Sequence, residues 1–222
     1  MLTLLVCLIA SNVGGMKTIA ILSQKGGTGK TTIALHLAVA AERRGFAVAV
    51  LDLDPQASAA GWKDSRPDEG PSVTSIPSTR LDKALKVAEN AGAALAIIDT
   101  APHSADAAVA AAEAADVILI PCRVGILDLR AIATTARIVK LTGKAAFVVL
   151  TAAPIRAPRL MEDAEAAVRQ HGLPIAPVTI HQRSAYAHAL TAGQTAEEYE
   201  PAGKAAEEIG ELFKWLGEML AL

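Results

Sequence analysis

Aromatic side chains are scarce: the chain has three Phe, two Trp and two Tyr in 222 residues. Its core must therefore be packed from small and branched side chains on closely set helices and strands. Cysteine is rarer still. Cys7 and Cys122 form no Cys-x-x-Cys and no metal-like spacing, which excludes a disulfide framework and a thiolate metal centre. Both read as small hydrophobes of a reducing, cytoplasmic compartment. Charge of one sign is missing too. Lys and Arg number 21 against 23 Asp and Glu, a formal net charge of −2. No global basic field attracts nucleic acid, so any DNA contact needs a local patch. A bilayer-spanning run is absent as well, since Met1–Ala10 (MLTLLVCLIA) is too short. It also lacks a positive n-region and a following Ala-x-Ala site, so it does not read as a signal peptide. Residues 1–15 are expected to be an extension ahead of a biological start at Met16. An anchoring segment is the other reading. Residues 16–222 have the length of one domain.

Short apolar runs alternate with helical stretches along the rest. Runs are expected at Lys17–Leu22, Ala47–Leu51, Val73–Ile76, Leu95–Ile98, Val117–Ile120, Ala146–Leu150 and Ile175–Ile180. Helices are expected at Thr31–Arg44, Leu81–Asn90, Asp128–Thr142 and Ala205–Leu222, with Gly61–Pro77 the least regular stretch. Continuous apolar strands between helices imply an α/β fold, a mostly parallel twisted sheet with helices on both faces. Ligands of such sheets sit at the carboxyl ends of the strands.

The end of the first run carries the strongest motif, Ser23-Gln24-Lys25-Gly26-Gly27-Thr28-Gly29-Lys30-Thr31-Thr32. It departs from GxxxxGK[ST] only where Gln24 replaces the first glycine. Gly26, Gly27 and Gly29 let the backbone approach a phosphate, and their N–H groups with the helix start form an anion nest. Thr28 and Thr32 complete the nucleotide-binding set. Lys30 would reach the β- and γ-phosphates of ATP, and Thr31 would offer its hydroxyl to Mg²⁺. The form from Lys25 to Thr31 resembles the deviant phosphate loop of the ParA/MinD superfamily, P-loop NTPases of the SIMIBI type. That resemblance implies that Lys25 reaches across a homodimer interface to the partner's nucleotide. An extra cation there would offset charge on the leaving phosphate only when two subunits meet.

Two strands end in aspartate. Val48–Ser58 reads VAVLDLDPQAS. Its Asp-x-Asp-Pro-Gln is similar to the second motif of that superfamily, which implies that Asp54 orients or deprotonates the attacking water. Asp52 would lie nearer the metal and lysine network. Leu95–Pro102 reads LAIIDTAP, a Walker B form in which Asp99 would hold Mg²⁺ through a water. Thr100–Ser104 would be the switch that senses the γ-phosphate, with His103 a solvated loop residue.

The stretch from Ile180 to Tyr186 resembles a loop of the short, ParF-like ParA proteins that lies near the adenine. Arg183 would stack on the base or on DNA, or be a plain surface arginine. Arg130, Arg137, Lys140 and Lys144 fall near one helix face, and Arg156 and Arg159 lie in a later loop. They are either a non-specific DNA surface or a solvated charged face. The last helix is amphipathic, but its polar face holds Glu207, Glu208, Glu211 and Glu218 against Lys204 and Lys214. Anionic lipid would repel it, so docking on the core is expected and stable membrane association is not.

The resemblance implies an ATPase switch that dimerises on ATP, binds DNA non-specifically and positions a cargo on the nucleoid. A ParB-like activator would stimulate its hydrolysis. Two alternatives remain: a MinD-like membrane oscillator, and a small-molecule synthetase of the dethiobiotin or cobyrinate kind. Lys25 and the intact Asp-Leu-Asp-Pro-Gln argue against the synthetase. The bridging cysteine pairs of nitrogenase-reductase and tail-anchor relatives are missing.

Overall fold

The strands form because runs of aliphatic residues bury on both faces at once. In the structure, a computed structural model that describes residues 15–222, they are β1 (Lys17–Ile21), β2 (Val48–Asp52), β3 (Ser72–Ser75), β4 (Leu95–Asp99), β5 (Val117–Arg123) and β6 (Ala145–Thr151). All pair in parallel, in the order β3-β2-β4-β1-β5-β6. The helices are α1 (Lys30–Glu42), α2 (Ser58–Asp64), α3 (Leu81–Asn90), α4 (Ala105–Ala114), α5 (Ile126–Thr142), α6 (Pro158–Gln170), α7 (Ser184–Thr191), α8 (Ala196–Tyr199) and α9 (Lys204–Leu220). The expectation for residues 1–15 lies, Gly15 apart, outside the described residues.

Strand side chains alternate between two cores, as a period of two requires. Ile19 and Ile21 pack with α1, α2, α7, α8 and α9. Ala20 and Leu22 pack with α3, α4, α5 and α6. Helix α1 is buried along nearly its whole length, including Leu35, Leu37 and Val39. An all-round apolar helix belongs inside. Helix α9 docks as expected, with Ile209, Leu212, Phe213 and Leu216 buried against that core.

Two regions differ from the sequence expectation. Ile175–Ile180 is not a strand. It runs beside β6 and pairs through Ala176 N–H to Val148 O (2.8 Å) and Ile180 N–H to Leu150 O (2.9 Å). A regular ladder would bring Val178 N–H to Leu150 O; Ile180 N–H takes that place, so two extra residues bulge out beside Pro177 and the ladder is interrupted. The stretch from Gly61 is also more ordered than its composition suggests. It continues α2, held by Trp62, which is 6 % exposed.

Strand β1 lies between β4 and β5, so the chain reverses its direction of winding across the sheet at β1. That is the switch point of a doubly wound sheet, where loops diverge and leave a crevice. Ile21 aligns with Asp99, and Asp99 with Asp52. The register alone brings the phosphate loop and both strand-end carboxylates to one edge.

Candidate functional site

The loop from Ser23 to Gly29 leaves β1 and enters α1. Gly27 (φ 72°) and Gly29 (φ 96°) occupy left-handed backbone that only glycine adopts without strain. No atom lies within 4 Å of where a Cβ would stand at Gly26, Gly27 or Gly29. The space beside these three positions is therefore open. Its outer side is anchored: Thr151 Oγ1 of β6 donates to Thr28 O (2.9 Å). Lys30 is buried and donates Nζ to Lys25 O across the loop (3.2 Å). Burial holds its pKa below the ordinary lysine value, against the pull of Asp99 and Asp54. Lys25 Nζ lies 2.9 Å from Asp128 Oδ1 in the first turn of α5. Asp128 carried no signal in the sequence reading, because only the fold brings α5 to the loop.

Asp99 is 1 % exposed. Its Oδ2 accepts from Thr31 Oγ1 at 2.6 Å, while its Oδ1 is buried without a partner. Burial, opposed by the Thr31 hydrogen bond and reinforced by Asp52, raises its pKa to about 7. An orphaned carboxylate oxygen beside a hydroxyl, at the foot of a phosphate loop, fits Mg²⁺ completed by phosphate and water. Among the described residues no larger His, Cys, Asp or Glu cluster forms a metal cage.

The two aspartates after β2 differ sharply. Asp52 is fully buried, and its oxygens accept from Asp54 N–H (2.9 Å) and Ala59 N–H (3.0 Å). It holds the loop's backbone, so its side chain is spent on structure and not aimed at a ligand. Asp54 is half-buried and accepts from Gln56 N–H (2.9 Å), and Lys30 feels its charge. Asp52, expected from the sequence to lie nearer the metal and lysine network, instead accepts from backbone N–H groups of the loop and helix that follow it. Cys122, near Asp128, is buried, and burial and the Asp128 charge push its thiol up to about 12, too high for a nucleophile.

Beside the loop opens a cavity of ≈ 380 Å³, lined by Gly27, Gly29 and Thr32 on one side and by Ile180–Arg183 and Tyr186 on the other. Arg123, at the end of β5, also faces it and was missed from sequence. Arg183 does not stand free: Nε and Nη2 donate to Glu208 Oε1 of α9 at 2.9 and 2.7 Å. A larger groove of ≈ 640 Å³ lies between α3 and the β2–β3 edge, but contains no residue of the phosphate loop. We take the smaller cavity as the site, because loop glycines line it.

Of the basic residues, Arg130, Arg137 and Lys140 are exposed on α5, Arg156 is exposed in the loop before α6 and Arg159 in its first turn, and Lys144 is half-buried. Among the described residues none of them pairs with a carboxylate within 4 Å. Arg130 and Lys140 stand about 15 Å apart along the helix axis at 1.5 Å per residue, so the bases form a stripe down α5 rather than a compact cluster.

This geometry has known counterparts. Residues 19–196 match the CobQ/CobB/MinD/ParA nucleotide binding domain. The chain is 32 % identical over 209 residues to the maintenance of carboxysome distribution protein A of Gloeobacter kilaueensis, covering 92 % of this chain and 94 % of that protein. It is 28 % identical to protein IncC of Escherichia coli, covering 80 % of this chain and 62 % of IncC. Its fold superposes on the ATP complex of a Cyanothece McdA variant with a TM-score of 0.76, at 21 % identity, covering 94 % of this chain and 98 % of the other. The matched span takes in the phosphate loop and the strand-end aspartates of this chain, and the chain belongs to the ParA/MinD family of nucleotide-binding domains.

Proposed function

We propose that this chain is a ParA-like ATPase, a switch that positions a cargo. Its phosphate loop binds ATP, the bound form pairs with a second copy, and the dimer holds duplex DNA non-specifically until a ParB-like protein stimulates hydrolysis. The observation that carries this reading is the convergence of two lysines, Lys25 and Lys30, with Asp54 and Asp99 at the switch point. A synthetase would need only one of those lysines. The name of the Gloeobacter relative, which maintains carboxysome distribution, supports the same class of work.

The roles follow from charge and reach. The loop N–H groups and Lys30 hold the phosphates. Asp54 accepts a proton from water as the new O–P bond forms and the bond to ADP breaks, leaving ADP and inorganic phosphate. Thr31 and Asp99 would hold Mg²⁺, which when bound neutralises charge on the phosphate oxygens. Lys25 comes to the partner's nucleotide after leaving Asp128. The stripe on α5 and α6 supplies phosphate contacts with DNA, doubled in a dimer. Among the described residues no helix is long and apolar enough to cross a membrane, and α9 spends its apolar face on the core.

The test measures binding to non-specific duplex DNA and oligomeric state with ATP, ADP or no nucleotide, for wild type and Asp54→Ala. Binding and dimerisation with ATP only, prolonged in Asp54→Ala, is expected. Tight ATP binding without DNA binding would overturn the partition reading.

A further inference from the structure

The wall of the 380 Å³ cavity opposite the phosphate loop joins the end of β6 through three backbone bonds, Ile180 N–H to Leu150 O (2.9 Å), Ala153 N–H to Ile180 O (3.2 Å) and Gln182 N–H to Ala153 O (2.9 Å). After β6 the chain returns as Ile175–Ile180 without a strand of its own, and an isolated bridge between Ala153 and His181 is its last pairing. Three side chains of this wall converge on one carboxylate. Glu208, on α9, is 7 % exposed. Its Oε1 accepts from His181 Nδ1 (2.8 Å) and from Arg183 Nε and Nη2 (2.9 and 2.7 Å). Its Oε2 accepts from Tyr186 Oη (2.8 Å) and from the backbone N–H of His181 (3.2 Å). A carboxylate saturated by charged and neutral donors is among the stiffer polar clamps a fold can build.

We propose that Glu208 is a positioning residue for the nucleobase, holding the wall of residues 181–186 at the spacing a purine needs once its phosphates sit in the loop. This rests on the ATP-binding reading above. Phosphates are gripped by residues 26–32, which Glu208 does not touch. The opposite wall is left to grip the base, and among the described residues Glu208 is the charged group that ties it to the body of the fold. Glu208 thereby makes the last helix part of the nucleotide site, a role invisible in a sequence pattern that counted it as one glutamate of a solvated face. Burial would raise its carboxyl, but the donors from Arg183, Tyr186 and His181 hold it below the ordinary range, so it stays ionised.

The prediction separates base from phosphate. Affinities for ATP and for inorganic tripolyphosphate, both with Mg²⁺, are measured by calorimetry on wild type and Glu208→Gln, with thermal melts of the nucleotide-free proteins. Glu208→Gln is expected to bind ATP about tenfold more weakly while tripolyphosphate changes by less than about twofold. Arg183→Gln, at the rim and less demanding of the fold, is expected to show the same split and decides the matter if Glu208→Gln melts. Equal losses for both ligands, or an unchanged ATP affinity in a folded variant, would overturn the inference alone. A wild type that binds neither ligand would overturn the ATPase reading, and this inference with it.

Discussion

Gly26, Gly27 and Gly29 serve two different needs, and substitution distinguishes them. Gly27 and Gly29 have positive φ, so a Cβ there strains the backbone by about 1–2 kcal/mol. Gly26 does not, and its Cβ would meet nothing within 4 Å. Gly26→Ala should therefore leave the melting temperature of the free protein unchanged, and it is expected to weaken ATP because the methyl group would fill open space beside the loop N–H groups. Gly29→Ala should lower both. If Gly26→Ala bound ATP normally, that face of the loop would not be the phosphate face. The Lys25–Asp128 pair makes a second residue-scale case. The Lys25 side chain is 33 % exposed and that of Asp128 13 %, and such half-solvated pairs are worth at most about 1 kcal/mol. Lys25 is thus held but easily released. Asp128→Asn should lower the ATP concentration needed for dimerisation by a few-fold, up to about fivefold for 1 kcal/mol, as read by light scattering. A rise in that concentration would show that Asp128 assists the dimer.

At the scale of elements, the loop after α2 is fastened to the C-terminal helices by one side chain. The Arg66 side chain is 3 % exposed and donates to Glu198 of α8 through Nη1 (2.9 Å) and Nη2 (2.7 Å), and to Gly193 O (3.1 Å). It also lies 5.0 Å from the ring centre of Trp62. Arg66→Ala would leave Glu198 buried without its partner and should cost about 3–5 kcal/mol in urea unfolding. Arg66→Met combined with Glu198→Leu should recover most of that, though it gives up the Thr195–Glu198 capping box. Which of these links could be read from sequence follows a physical divide. Strands β1, β2, β4 and β5 were legible because burial on both faces writes a continuous apolar run. Lys30, Thr31, Asp54 and Asp99 were legible because loop and strand-end chemistry is local. Ile175–Ile180 has the apolar content of a strand, yet hydrogen-bond continuity across Pro177 decides. Glu208, Asp128 and Arg66 were not legible, since each meets partners more than twenty residues away, or in another layer, and a helix face records no such meeting.

The whole molecule carries one more titratable group that couples its centre to its stability. His36 sits midway along α1, 1 % exposed. Its Nδ1 donates to Thr32 O (2.7 Å), and its ring meets Tyr186 edge-on at 5.1 Å. Its Nε2 is buried without a partner, so a second proton would have no acceptor. Burial, only partly offset by the Thr32 carbonyl and Glu198, lowers its pKa from 6.5 to about 4. Below pH 6.5 the unfolded chain takes up a proton that the native chain refuses. The stabilisation is therefore complete above 6.5 and is lost as the pH falls toward 4. Asp99, raised to about 7, has the opposite sign over nearly the same window, so the wild-type curve alone is not diagnostic. His36→Gln keeps Asp99 and removes only the histidine term. Between pH 7 and pH 5 the wild type should lose about 2 kcal/mol relative to this variant, on the scale of 1.36 kcal/mol per pKa unit. That corresponds to a relative shift in melting temperature of about 4–8 °C for a domain of this size. Parallel stability curves for the two proteins would mean that His36 is protonated inside the fold, and that α1 opens to water behind the phosphate loop.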